Sequence, residues 1–572
     1  MLAVKSLLTL TLAAFVLSAC PATRDAKTDI DCDWTQWGQG PAHTGHACAV
    51  GQSLKRSLAS IVFDPFVERE KAAFRIQNQT DEGELTAHFQ APLLSGSDVY
   101  MEVKAGTYVD CDATSGDLTH CGQFAWNQQI WQERYYEWDH GSLVQRWTYA
   151  SDWKPEPSTL SSWEPVFHPA ISGPWLYVPG AHGGLHKLDR HSGEVVADIL
   201  PFGKDVNAYV AGPLTIDKAG NVYFHVLQLP ADPAQQDAKG FLVKVDAHDA
   251  VKKADFTSFV TGAPKSTDAC YLGFSSKQTP RPWPPSPDAV PPQGPCGSQR
   301  PGLNIAPAVA KDGTILTVSR AHFNSEYAYV VALKPDLTTK WVASLRDLLF
   351  DGCGVLATCR EGAKPGVDPS TNLAPAGRVI DESSSSPVTL EDGSVLYGAY
   401  TSYNDSRGHL FHFDAEGKHL KTFEFGWDVT PALYPHDGTV SILTKDNHYG
   451  VGPFNLSRLN SNLELEWSFT STNNLSCHHT SNGEIVCGED ENHTSGGAHG
   501  FEWCVNAPAV DVEGVMFANS EDGRVYALNK DGTEREHLFL EQSLGAAYTP
   551  LSLDRAGRIY SLNGGLLTVV GN

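Results

Sequence analysis

The segment PAVAKDGTILTVS (307–319) reads as a strand, a tight Asp-Gly turn and a second strand, and the chain writes this hairpin repeatedly. PVTLEDGSVLYGA begins at Pro387. The same order of proline, alternating apolar residues, turn and alternating apolar residues starts at Pro92, Pro169, Pro213, Pro431, Pro508 and Pro550, which makes eight copies. A second hairpin follows most of them, as in LHKLDRHSGEVVADIL (185–200), VVALKPDLTTKWVASL (330–345) and VYALNKDGTEREHLFL (525–540). Each unit therefore holds four antiparallel strands, A to D. Such a sheet cannot cover both its faces alone, so copies must stack face to face, and closing the stack into a ring removes the exposed edges. The expected fold is all-β, an eight-bladed β-propeller of four-stranded antiparallel blades. The eighth copy runs out in GGLLTVVGN, a third strand without a fourth, so SLASIVFDP (57–65) is expected to close the last blade as an N-terminal strand.

Successive prolines lie 77, 44, 94, 80, 44, 77 and 42 residues apart, a basic period near 42 to 44 with enlarged units. The excess follows strand D, near 257–300, 346–380 and 471–503, with a shorter stretch near 150–165. D–A and B–C connections leave one face of a propeller, so all this decoration is expected on one rim. The first insertion carries TPRPWPPSPDAVPPQGPC, which cannot join a sheet for want of N–H donors.

With 42 basic against 67 acidic side chains, a net charge of −25, the summed field repels polyanions, and nucleic acid is not an expected partner. The N-terminus reads as an export signal: Lys5, an apolar run from Leu7 to Leu17, then LSAC ending at Cys20. That ending resembles the lipobox of bacterial lipoproteins, and the resemblance implies cleavage before Cys20 and acylation (palmitate among the chains) of Cys20. The expected organisation is a signal peptide over 1–19, a lipidated tether and N-terminal segment over 20–50, and the propeller over 51–572. Export places the remaining cysteines where disulfides persist. Neighbour pairing is expected for Cys32–Cys48, Cys111–Cys121, Cys270–Cys296 and Cys353–Cys359, with Cys477, Cys487 and Cys504 leaving one odd.

The densest candidate for metal chemistry is CHHTSNGEIVCGEDENHTSGGAHGFEWC (477–504), with His478, His479, His493 and His499 among its cysteines. It lacks the spacing of strong metal motifs, and oxidised cysteines do not ligate, so a stapled loop is expected and no metal. The B–C loops carry His182, His322, Tyr403, Asn404, Asn447, His448, Tyr449, Asn519 and Asn563, whose convergence would make a ligand or peptide site at the channel mouth.

The two hairpin motifs, the spacing from Ala332 to Trp341 and WTQWGQGPAHTG (34–45) resemble the pyrroloquinoline-quinone-type (quinoprotein-like) repeat family of eight-bladed propellers. The resemblance spans roughly residues 34–572 and implies the fold. Quinone enzymes of that family have adjacent cysteines, a tryptophan platform and a calcium set with a catalytic aspartate. No two cysteines are adjacent here, and no cofactor is expected. The reading is an exported lipoprotein of the bacterial cell envelope, anchored by lipid in the membrane, outer by expectation. By analogy with the propeller lipoprotein of the outer-membrane barrel assembly machinery, it would be a monomeric, non-enzymatic scaffold for an envelope protein partner. The alternative is a quinone- or metal-dependent enzyme or a small-ligand binder with its site at the channel mouth.

Overall fold

In a computed structural model the chain divides at Asp31, and the described residues all belong to the second unit, Cys32–Asn572. The structure describes residues 32–572 except 82, 158–159, 233–236, 273–291, 351, 355–358, 360–363, 369–372, 402–407, 427–428, 449–451, 490–499, 504–505 and 546–549. Cys20, Tyr403, Asn404, Tyr449, His493, His499 and Cys504 therefore lie outside the described residues, as does most of the proline-rich arm.

Eight antiparallel sheets follow one another along the chain: blade 1 over 93–150, blade 2 over 170–199, blade 3 over 208–255, blade 4 over 299–344, blade 5 over 388–425, blade 6 over 432–470, blade 7 over 509–539 and blade 8 over 551–571. The proline-led hairpins are the A and B strands of these blades. Blade 8 is completed by Arg56–Val62, which pairs antiparallel with Leu566–Gly571. Strand A of blade 8 also packs against strand A of blade 1, and Ser552 Oγ donates to Pro92 O at 2.8 Å, so the ring is closed. The molecule is an eight-bladed propeller.

Neighbouring blades are keyed by tryptophan. Trp147, Trp341 and Trp467 lie in D strands, and each indole N–H donates to the C–D turn of the next blade, at Arg190 O (3.1 Å), Ala415 O (2.9 Å) and Lys530 O (3.0 Å). Glycine is required opposite them. A Cβ on Gly417, whose φ is +84°, would sit 2.5 Å from Trp341.

Residues 33–50, part of the stretch 20–50 read from sequence as a tether and N-terminal segment, pack with Gly51 into the propeller. They run once around the axis beside the A strands. Trp34 exchanges backbone hydrogen bonds with Leu94 of blade 1, Thr35 accepts from Ile171 of blade 2, and the Gln36 amide bonds both backbone groups of Ile216 in blade 3. Pro41, Ala42, Thr44 and Gly45 then accept from Val309, Thr389, Leu433 and Val510 of blades 4 to 7, and Gln52 donates to Gly557 O of blade 8 at 2.7 Å. The contacts lie toward the A–B turns, so this strap floors the channel. Trp37, 1% exposed, rises from it into a ring of Ala91, Ala306 and Ala507 and donates to Thr430 Oγ1. Above that level His88, entering blade 1, hydrogen-bonds Glu382 O, entering blade 5 on the far side of the ring, at 3.2 Å. Trp37 and the His88–Glu382 contact thus occupy the middle of the ring.

Sequence reading did not foresee a helix, yet Val67–Asn78 is one, between the outer strand of blade 8 and blade 1. Glu68 and Glu70 in its first turn and Arg75 in its last complement the helix dipole, and only Val67 and Ala73 are buried, too weak an apolar stripe to stand out against the strand pattern.

Candidate functional site

Two cavities open on the loop face among the described residues. A cleft of 510 Å³ over blades 1 to 3 is lined by Trp126 and Phe124 from the B–C connection of blade 1, Lys154 and Glu156 from the 150–165 connection, His182 and Tyr209. Pro157 and Tyr209 also line a second cavity, of 880 Å³, over blades 3 to 5.

The second cavity owes its shape to split A strands. In blade 4, Gln299–Pro301 and Ala308–Val309 both pair with Ile315–Ala321, so strand B continues beyond the usual blade height and carries a second partner there. Blade 3 does the same with Ala208–Val210 and Thr215–Ile216. This extra storey places Tyr209 and Arg300 at the cavity wall. Its register sets Arg300 directly opposite Arg320. Like charges facing across a strand pair repel, and the pair holds because Asp381 lies between them. Asp381 takes Arg300 bidentately at 2.8 and 2.6 Å and Arg320 Nη1 at 2.9 Å. Burial alone would raise Asp381, but the two guanidinium groups outweigh it and hold the carboxyl well below the usual range. Arg320 is brought down to about 10 by burial, with Asp381 opposing, and stays charged at neutral pH. A third guanidinium, Arg378, is fixed by Nε on Ser325 Oγ at 3.0 Å. Glu156 is 4% exposed, and burial first, then the charge of Asp381, push its carboxyl well up, against the pull of Arg300.

His322 belongs to this arrangement: it is buried, lines the cavity and pairs through Nδ1 with Arg300 Nε at 2.8 Å. His182 lines the other cleft, its Nδ1 3.2 Å from Asp205 O. Asn447 and Asn519 are spent between blades: Asn447 Nδ2 donates to Trp503 O and Asn519 Nδ2 to Leu562 O. His448 meets Asp446 at 2.9 Å, and Asn563 accepts from Ser561 Oγ. Among the described B–C residues, His182 and His322 line different cavities. Sequence reading missed Arg300, Arg320, Arg378 and Asp381, which no motif links; only strand register joins them.

All five disulfides among the described residues join sequence neighbours: Cys32–Cys48, Cys111–Cys121, Cys270–Cys296, Cys353–Cys359 and Cys477–Cys487. The last lies directly across a two-stranded hairpin, Leu475–His479 with Ile485–Glu489. His478 there is exposed, and His479 faces Glu541 at 3.2 Å. Among the described residues no three His, Cys, Asp or Glu side chains form a metal-ligating group. His88, Glu382 and Trp37 lie at the middle of the ring, where the blades converge. No helix is long and apolar enough to cross a membrane.

No protein-family model and no curated protein matches the chain. Among solved structures it is similar to a europium-containing methanol dehydrogenase (TM-score 0.48, 11% identity, covering 93% of this chain and 89% of that one). It is also similar to the quinohemoprotein alcohol dehydrogenase from Comamonas testosteroni (TM-score 0.46, 12% identity, 93% and 76%) and to BamB from Moraxella catarrhalis (TM-score 0.37, 13% identity, 77% and 88%). Likeness of this degree carries nothing about ligand or chemistry; the fold stands on the strand pairing itself.

Proposed function

We propose that the chain is an exported envelope protein, acylated at Cys20, whose propeller acts as a non-enzymatic module binding a partner protein through its loop face. The observation that carries this reading is one-sidedness. The helix Val67–Asn78, the cleft-lining connections and two disulfide-stapled hairpins all arise from D–A or B–C connections, whereas the opposite face has short turns over the strap. The Cys477–Cys487 hairpin is shaped for contact: its second strand is exposed at every residue, with Ile485 50% and Val486 46% exposed. A stapled hairpin offering exposed apolar side chains suits docking by a partner. Five disulfides agree with an oxidising compartment.

A photo-crosslinking residue placed at Ile485, and at Asp437 in an A–B turn as control, tests this in intact cells. Discrete adducts from Ile485 alone, sharply reduced when Cys20→Ala releases the chain from the membrane fraction, are expected. No adducts, or the same set from both positions, would refute the reading.

A further inference from the structure

We propose that the 880 Å³ cavity over blades 3 to 5, lined by Arg320 and Arg378 and by Leu160, Leu229 and Ile380, binds a small organic oxyanion, a carboxylate or phosphate ester with an apolar body. This site is independent of the protein-binding reading. It rests on three observations.

The first is charge. In a chain of net charge −25, the cavity gathers three guanidinium groups, Arg300, Arg320 and Arg378, against two carboxylates, Asp381 and Glu382. Burial, then the charge of Asp381, raises the Glu382 carboxyl above its ordinary value. A concave site with low-dielectric walls focuses such an excess and draws an anion in.

The second is construction. Arg300 and Arg320 face one another in register on a storey of sheet added above the ordinary height of the blade. Both are almost fully buried, at 1% and 8% exposure. A like-charge cross-strand pair is unfavourable by itself, and the stability of the blade does not call for it. Asp381 takes Arg300 on two nitrogens and Arg320 at Nη1, Arg320 Nε and Nη2 donate to Ala321 O and His322 O, and Arg378 is anchored through Nε on Ser325 Oγ, so the guanidinium groups are held in fixed orientation at the cavity. Forked guanidinium groups in fixed orientation are what planar oxyanions bind best.

The third is size and lining. A volume of 880 Å³ far exceeds an inorganic anion and falls in the range of sites for drug-sized molecules. Leu160, Leu229, Pro230, Ile380 and Phe323 supply apolar surface, and Tyr209 and Asn207 supply polar atoms at the rim. Head group and body both have a place.

Calorimetry on the full folded chain at low salt decides the matter, with 1-naphthyl phosphate as the probe, inorganic phosphate as the head group alone and 1-naphthol as the body alone. Saturable binding of 1-naphthyl phosphate, competition by inorganic phosphate and much weaker binding of 1-naphthol are expected. Arg378→Gln should weaken 1-naphthyl phosphate at least tenfold. Ala231→Trp, which fills the cavity and leaves every arginine in place, should do the same and serves if Arg378→Gln does not fold. Absence of binding, equal binding of 1-naphthol, or an affinity unchanged in the folded variants would overturn the assignment.

Discussion

Glu102 and Glu133 face each other across strands B and C of blade 1, both nearly inaccessible, and they meet the like-charge problem differently from Arg300 and Arg320. No cation sits between them; Gln90 donates to each, from its backbone N–H to Glu102 at 3.0 Å and from its amide to Glu133 at 3.2 Å. Burial pushes Glu133 up to about 8 and Glu102 well above its ordinary value, with the charge of Glu133 adding to the latter. The folded chain thus holds a proton on Glu133 that the unfolded chain, near 4.5, releases. The stabilisation is fully present below pH 4.5 and is lost as pH rises to 8. Glu133→Gln keeps the shape and removes the proton: relative to wild type it should be close to neutral at pH 5 and more stable by on the order of 4 kcal/mol at pH 8. Urea midpoints across that range check this, and a difference that does not grow with pH would rule it out. Four buried histidines act in the opposite sense. His43, His88, His168 and His225 are each brought down to about 4 by burial, so their contribution is present above pH 6.5 and is lost as pH falls toward 4. At this scale little was legible beforehand. His322 could be picked out as a loop histidine, but Arg300, Arg320 and Arg378 are spread over three chain segments, and pairing register alone tells which side chains face each other.

At the scale of elements the chain is far easier to read, because period-two alternation and Asp-Gly turns are local properties that tertiary context reinforces. The hairpin that opens at Pro307 is strand for strand the inner half of blade 4, and the closing strand, sought at 57–65, spans Arg56–Val62. Which of Cys477, Cys487 and Cys504 stays odd was not legible; Cys477 and Cys487 prove to be direct cross-strand partners in one hairpin. What could not be read was the extra storey of blades 3 and 4, since Gln299–Pro301 is three residues long and carries no alternation of its own. The keying of blades was half visible, in the tryptophan but not in its partner. Gly417 and Gly438 both have positive φ, at 84° and 76°, yet only Gly417 would drive a Cβ into an indole, while nothing lies within 4 Å at Gly438. Alanine at Gly438 should therefore cost about 1 kcal/mol for backbone strain alone. At Gly417 it should cost about 2 to 4 kcal/mol, because Trp341 must shift and its bond to Ala415 is disturbed. Equal losses in chemical denaturation would show that the docking of Trp341 adds nothing to the junction.

Taken whole, the molecule is closed twice by one stretch of chain. Arg56–Val62 seals the outer edge of blade 8, and the strap just before it touches the blades in order around the axis. A propeller held only at its rim can open between any two blades; one whose inner strands are also tied to a common strap must release the strap before a blade can separate. The Cys32–Cys48 disulfide joins the start of that circuit, beside blade 1, to its end, beside blades 7 and 8. With a sequence separation of 16, the crosslink is worth about 3 kcal/mol in the chain-entropy model. Replacing both cysteines by serine should lower global stability by about that amount and keep a single unfolding transition, because strap and blades are expected to unfold together. In hydrogen exchange, the amides of Trp34 and Ala47, and of Ile171 and Val309 which donate to the strap, should lose protection by the same free energy as the global transition. If instead those amides exchanged freely while the blade strands kept full protection, the strap would be an appendage and the axis a channel that can open. The disulfide effect and the shared protection test one claim: 33–51 is the innermost turn of the fold.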